Sequence, residues 1–176
     1  IVYVGRFHSK ARLELLLRAV HHLKNKGITV ALGLVGDGIK KNELIDLALE
    51  LNIADCIEWH GAVYEDARLD ELLKNYSALC YPGAIGLSVS TAFERAMPII
   101  TNESMLNQAP EFFMSNPRNS YYFRGGFISL ADAIEVHLTA DKDLYMKKSE
   151  CALATASLFS EENSIELFIG CLGEFN

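Results

Sequence analysis

Between residues 77 and 101 the chain runs from an apolar strand (77–81) through a Pro82-Gly83 turn into a helix opened by Gly86-Leu87-Ser88. It then passes directly into a second strand, 98–101. Two continuous apolar strands joined by one helix form a crossover unit, which belongs to a parallel sheet covered on both faces. The same alternation runs through the rest of the sequence. Strands are predicted over 1–4, 28–35 and 56–60, with a sixth over 121–123. Helices are predicted over 9–26, 40–51, 66–75 and 87–97, with Gly27 closing the first as a C′ glycine. Residues 102–115 read as a polar loop with one helical turn. From Ile128 onward the pattern is helical, broken near 139–141 and 159–160. Right-handed crossovers then give an α/β, Rossmann-like, doubly wound sheet of six strands in the order 3-2-1-4-5-6, with a helical C-terminal tail.

In such a sheet the loops at the carboxyl ends of the strands carry the ligand site. A glycine-containing turn at a helix start leaves backbone N–H groups pointing outward. The helix dipole adds to them, which favours an anion and most often a phosphate. Gly86-Leu87-Ser88 is such a turn. Gly5-Arg6-Phe7 follows the first strand, beside the point where strand order reverses, with Lys10 and Arg12 within one helical turn of it. Arg6 can grip a phosphate with its planar fork, and Lys10 or Arg12 can add a second charge. The plainer reading of these three is a solvated basic turn. Gly36-Asp37-Gly38 lacks the full dinucleotide fingerprint and reads as a tight structural turn. Gly61-Ala62-Val63 presents small residues against which a flat base can lie. The loop 102–111 offers amides that can read sugar hydroxyls, or it is simply solvated.

Bulk composition narrows the function further. The 176 residues are 50% hydrophobic and 22% charged, as in a globular domain, and residues 1–176 read as one. A balance of 16 basic against 23 acidic residues gives a net charge of −7, which argues against a nucleic-acid binder. Five histidines show no ligand spacing, so no metal site is assigned. Cys56, Cys80, Cys151 and Cys171 show no C-x-x-C spacing, the first two falling in predicted strands and the others in predicted helices. Buried free thiols, and with them a reducing compartment, are expected. No apolar run is long enough to span a bilayer. The strand-like start at Ile1 suggests a piece of a longer protein.

In this order, the motifs resemble the carboxyl-terminal, donor-binding domain of bacterial retaining glycosyltransferases with the GT-B fold, of the glycosyl transferases group 1 type. The pieces are Val4-Gly5-Arg6-Phe7 with Lys10 and Arg12, Leu34-Val35-Gly36-Asp37-Gly38, Ile57-Glu58-Trp59-His60-Gly61, and Gly86-Leu87-Ser88 through Ala96-Met97-Pro98-Ile99-Ile100. The resemblance implies a role for each. Arg6, Lys10 and Arg12 would act in catalysis by neutralising the donor diphosphate. The distal phosphate would lie on the N–H groups of Gly86, Leu87 and Ser88, the base on Gly61, Ala62 and Val63. Gly5 would shape the turn, and Thr91 would reach a ribose hydroxyl. The leaving group is a nucleoside diphosphate, so stabilising its charge is the main catalytic lever.

The same resemblance implies a nucleotide-sugar donor, no cofactor and no metal, and a glycan or lipid-linked acceptor held by an N-terminal domain absent from this chain. It also implies a cytoplasmic enzyme, at the inner face of the membrane in its full-length form, that builds surface polysaccharide. Four positions depart from the family pattern, one of them Ala11, where the family most often has lysine. Where the family often carries glutamates, this chain has Gly83 and Thr91; Ala96 stands where the family has glycine. A non-catalytic scaffold of the same fold and a sugar-nucleotide epimerase are the alternative readings.

Overall fold

A computed structural model describes residues 1–104 and 108–159. Six parallel strands form one sheet: β1 Val2–Val4, β2 Leu32–Val35, β3 Ile57–Gly61, β4 Leu79–Tyr81, β5 Ile99–Asn102 and β6 Ser120–Phe123. Their spatial order is β3-β2-β1-β4-β5-β6, as the alternation predicted. Val2 pairs with Gly33 on one side and Leu79 on the other, so β1 and β4 form the centre and the strand order reverses between them. Apolar side chains alternate to both faces of these strands, and both faces are covered. α1 (Leu13–Asn25) packs against α2 (Lys41–Glu50) and α5 (Phe127–Leu138), with Lys26 of the α1 cap ion-paired to Glu135. α4 (Ser88–Phe93) packs against α6 (Lys142–Leu158), while α3 (Asp66–Leu73) links β3 to β4.

Three helices end in the same device. At the ends of α1, α2 and α4 a left-handed residue closes a Schellman motif: Gly27 (φ 80°), Asn52 (φ 52°) and Ala96 (φ 52°). Each motif has its two bonds, for example Met97 N–H to the Ala92 carbonyl (2.9 Å) and Ala96 N–H to the Phe93 carbonyl (3.0 Å). Gly27 was legible in the sequence; Ala96 was not. The helix expected over 87–97 therefore stops at Phe93.

Other boundaries also differ. The second strand begins at Leu32, because the Val2–Gly33 register leaves residues 28–30 outside the ladder. The helix expected from Ser9 is a 3₁₀ turn, Ser9–Ala11, followed by left-handed Arg12 (φ 54°), and α1 begins only at Leu13. The loop after β5 holds its one helical turn at Pro110–Met114, and Asp141 caps α6 by accepting the Leu144 N–H at 2.7 Å. Cys80 lies in β4 as expected, buried and free, its thiol pushed up to about 12 by burial. Cys56 closes the 3₁₀ turn before β3 instead of joining the strand, and is half-buried, as is Cys151 on α6. The helix expected beyond residue 159, with Cys171, lies outside the described residues. Among those residues no helix is long and apolar enough to cross a membrane.

Candidate functional site

The carboxyl ends of β1, β2 and β3 release three turns that lock into one another. Below the first turn, the buried Tyr3 hydroxyl donates to the Arg6 carbonyl at 3.0 Å, and burial raises that phenol's pKa far above its ordinary value. The Phe7 N–H donates to the Asp37 carbonyl (2.9 Å) and the Lys40 N–H to the Phe7 carbonyl (3.2 Å), stitching the first turn to the second. Gly36 N–H then donates to the Gly61 carbonyl at 2.7 Å, joining the second to the third. Only glycine fits at 36. Its φ is 139°, and a Cβ there would lie 1.9 Å from the Gly5 carbonyl oxygen.

The three turns enclose a cleft of about 260 Å³, bounded by Gly5 and Arg6, by Gly36 and Asp37, and by Ala62, Val63 and Tyr64. Gly5, Arg6, Ala62 and Val63, separated in sequence, thus come together, with Gly61 at the base of the third turn. Arg6 is exposed and, among the described residues, its guanidinium has neither hydrogen bond nor ion pair. Asp37, opposite, is already occupied: the Lys41 ammonium (3.0 Å) and the Gly38 N–H (2.7 Å) hold its carboxyl below the usual range. Asp37 and Tyr64 also line this cleft and were not among the expected site residues. The glycine pair around Asp37 was the available signal, and Tyr64 gave none beyond its place after a strand.

The Gly86-Leu87-Ser88 turn reaches the same strand end from the other side, where Ser88 Oγ donates to the Val4 carbonyl at 3.1 Å. Among the described residues the N–H groups of Gly86, Leu87 and Ser88 have no hydrogen-bond partner. α4, which they open, is only 6 residues long, so its dipole is small and the free N–H groups carry the attraction. Thr91 turns back on its own helix, its Oγ1 donating to the Leu87 carbonyl at 3.3 Å.

The remaining basic residues are arranged otherwise than one helical turn would place them. Lys10 sits on the 3₁₀ turn with its ammonium exposed and, among the described residues, unpaired. Arg12 is half-buried at the left-handed N-cap of α1. Neither lines the 260 Å³ cleft. The Lys10 carbonyl faces Gly83, where a Cβ would lie 1.9 Å from its oxygen. A larger hollow of about 570 Å³ opens at the opposite, amino edge of the sheet, between Tyr76, Arg95, Met97 and Tyr145. It is a poor candidate for an anion, because Arg95 is paired with Asp70 at 2.6 Å and Lys74 with Glu71 at 2.7 Å. Among the described residues, no three His, Cys, Asp or Glu side chains cluster as metal ligands would.

Residues 1–113 match the family described as glycosyl transferases group 1. The chain belongs to that family. No curated protein matches the sequence. Among solved structures, the fold is similar to a TarM variant from S. aureus, in complex with fondaparinux, alpha-GlcNAc-glycerol and UDP. TM-score is 0.80 and identity 18%, over 96% of this chain and 34% of that one. It is also similar to HepE from Anabaena in complex with UDP, with TM-score 0.78 and 16% identity over 99% and 48% of the two chains. A third is sucrose-phosphate synthase from Thermosynechococcus elongatus, with TM-score 0.78 and 20% identity over 98% and 44%. The chain thus spans between a third and a half of those proteins' lengths. In family and fold it corresponds to the glycosyltransferase donor-binding domain that the motifs resembled.

Proposed function

We propose that this glycosyl transferase group 1 chain is a single domain that binds the uridine diphosphate part of a sugar donor. Its full-length enzyme transfers the sugar to a glycan or lipid-linked acceptor held by a second domain. The unpaired Arg6 guanidinium, at the edge of a cleft formed by three interlocked strand ends, carries this reading. The base lies against Ala62 and Val63 with Tyr64 at the rim, and the diphosphate passes Arg6 toward the free N–H groups of Gly86, Leu87 and Ser88. Arg6 and Lys10 offset the growing charge of the leaving group without a metal, with Arg12 behind them at the helix start. Two structural neighbours were solved with UDP, which supports uracil over guanine. A cytoplasmic enzyme of bacterial surface-polysaccharide synthesis, touching the inner membrane face, fits this chemistry.

A second reading, a non-catalytic binding or scaffolding domain that keeps the fold and has lost the donor site, is favoured by one observation. Gly83 is packed against Lys10, and Thr91 is bonded to its own helix, where relatives of this type often place glutamates. Calorimetric titration with UDP, GDP and their sugars separates the two. The donor reading expects UDP to bind in the absence of metal. Arg6→Ala is expected to weaken that binding by roughly 1.5–3 kcal/mol, as for a lost charge-assisted contact. Equal affinity in the variant removes Arg6 from the site.

A further inference from the structure

We infer that Gln108 is the positioning residue of the phosphate-facing turn, an assignment that rests on the donor-site reading above. Its side-chain amide bridges two loops. Oε1 accepts the Ile85 N–H at 2.8 Å, and Nε2 donates to the Asn102 carbonyl at 2.6 Å. One planar group therefore spans from the end of β5 to the residue just before Gly86. The next residue reinforces the bridge: Ala109 N–H donates to the Ile85 carbonyl at 3.4 Å. Ala109 Cβ also lies 3.5 Å from the point where a Cβ on Gly86 would sit.

Ile85 is fully buried, and both of its backbone polar groups are committed to residues 108 and 109. The chain entering Gly86 is thereby held on this flank. On the other flank, the Ser88 hydroxyl holds the turn to the Val4 carbonyl. Fixed at both ends, the unpaired N–H groups of Gly86, Leu87 and Ser88 keep one direction before any ligand arrives, which is the condition for donors to act without reorganisation. The amide is chemically suited to the bridge because it donates and accepts at once. A carboxylate would accept from Ile85 but set oxygen against the Asn102 carbonyl, and an apolar side chain of equal length would do neither. Asn102 anchors its own end, its Oδ1 accepting both the N–H and the hydroxyl of Ser104 at 2.9 Å.

The bridge acts on the turn that receives the distal phosphate and does not touch the Ala62–Val63 wall where the base lies. UDP and UMP therefore distinguish a positioning role from general loosening. The wild-type chain, Gln108→Met, which keeps the volume, and Gln108→Ala are titrated with both nucleotides, and amide hydrogen exchange is followed at Ile85 and Gly86. Both variants are expected to bind UDP about tenfold more weakly and UMP within twofold of wild type. Exchange at Ile85 speeds up while the unfolding midpoint of Gln108→Met stays near wild type. If Gln108→Met binds UDP as wild type does, or loses UDP and UMP equally, the positioning role is overturned and the donor site stands. If the wild-type chain binds neither nucleotide, the donor reading fails and this role fails with it.

Discussion

The two edges of the sheet treat their polar groups in opposite ways. At the amino edge the charged ones are buried or paired within the fold. Lys148 is buried and donates to the Pro117 (2.6 Å) and Ser120 (3.0 Å) carbonyls, with its ammonium 4.3 Å from the centre of the Tyr121 ring. His137, also buried, meets the Ser77 hydroxyl at 2.8 Å through Nε2, and its Nδ1 has no partner among the described residues. Desolvation there is a cost the fold itself absorbs. At the carboxyl edge the reverse holds. Arg6, Lys10 and three N–H groups stand open to water, and the turns that carry them are held by side chains whose own bonds are made: the buried Tyr3 hydroxyl, and the half-buried Ser88 hydroxyl and Gln108 amide. The difference separates polar groups that complete the structure from polar groups that await something. Hollow size does not, since the larger cavity lies at the amino edge.

The contrast breaks most sharply at Gly36. Gly36→Ala forces a Cβ into the Gly5 carbonyl at a φ that side chains avoid. It is expected to destabilise the chain by about 3 kcal/mol in urea unfolding and to abolish nucleotide binding. An unchanged midpoint would show that the three turns are not interlocked.

The amino edge can be probed with acid. Burial, aided by the nearby Lys148 ammonium, pushes His137 down to about 4. In the unfolded chain it titrates near 6.5. Between those values the unfolded chain takes a proton that the folded one refuses, so stability rises with pH. Acidification from pH 7 to pH 4 is expected to remove about 2–3 kcal/mol through this group. Denaturant melts of wild type and His137→Gln across that window check it, because the variant should show the shallower slope.

The smallest effect has the opposite sign. Ala96 occupies the left-handed cap position where α1 uses Gly27. Ala96→Gly is expected to stabilise by about 1 kcal/mol, the strain relieved outweighing the added chain entropy. Thermal melting measures it, and a lower melting temperature would mean that the Ala96 methyl is held by contacts worth more than the strain.

Strand order was readable from residue type because each core strand is an unbroken apolar run between turn residues, and even short β6 kept Tyr121 and Phe123. What escaped the sequence was set by contacts distant in the chain. Alanine at 96 gives no stop signal, since it is a strong helix former. Left-handed Arg12 follows a turn pressed against Gly83, more than 70 positions later. The site showed the same division. Arg6 and the Gly86 turn announced themselves by residue type. Tyr64 acquired meaning only when β3 was laid beside β2, and Gln108 only when the loop after β5 folded back onto Ile85.

Gly83 has a consequence for descent. A Cβ at Gly83 would lie 1.9 Å from the Lys10 carbonyl oxygen, so this position cannot accept a side chain while the Lys10 backbone stays where it is. A single substitution to glutamate at 83 is therefore blocked by the backbone of the 3₁₀ turn. The 3₁₀ turn would have to move first, or in the same step, and every intermediate would have to fold. The two segments can change only together, and a side chain at 83 is further away than one codon suggests.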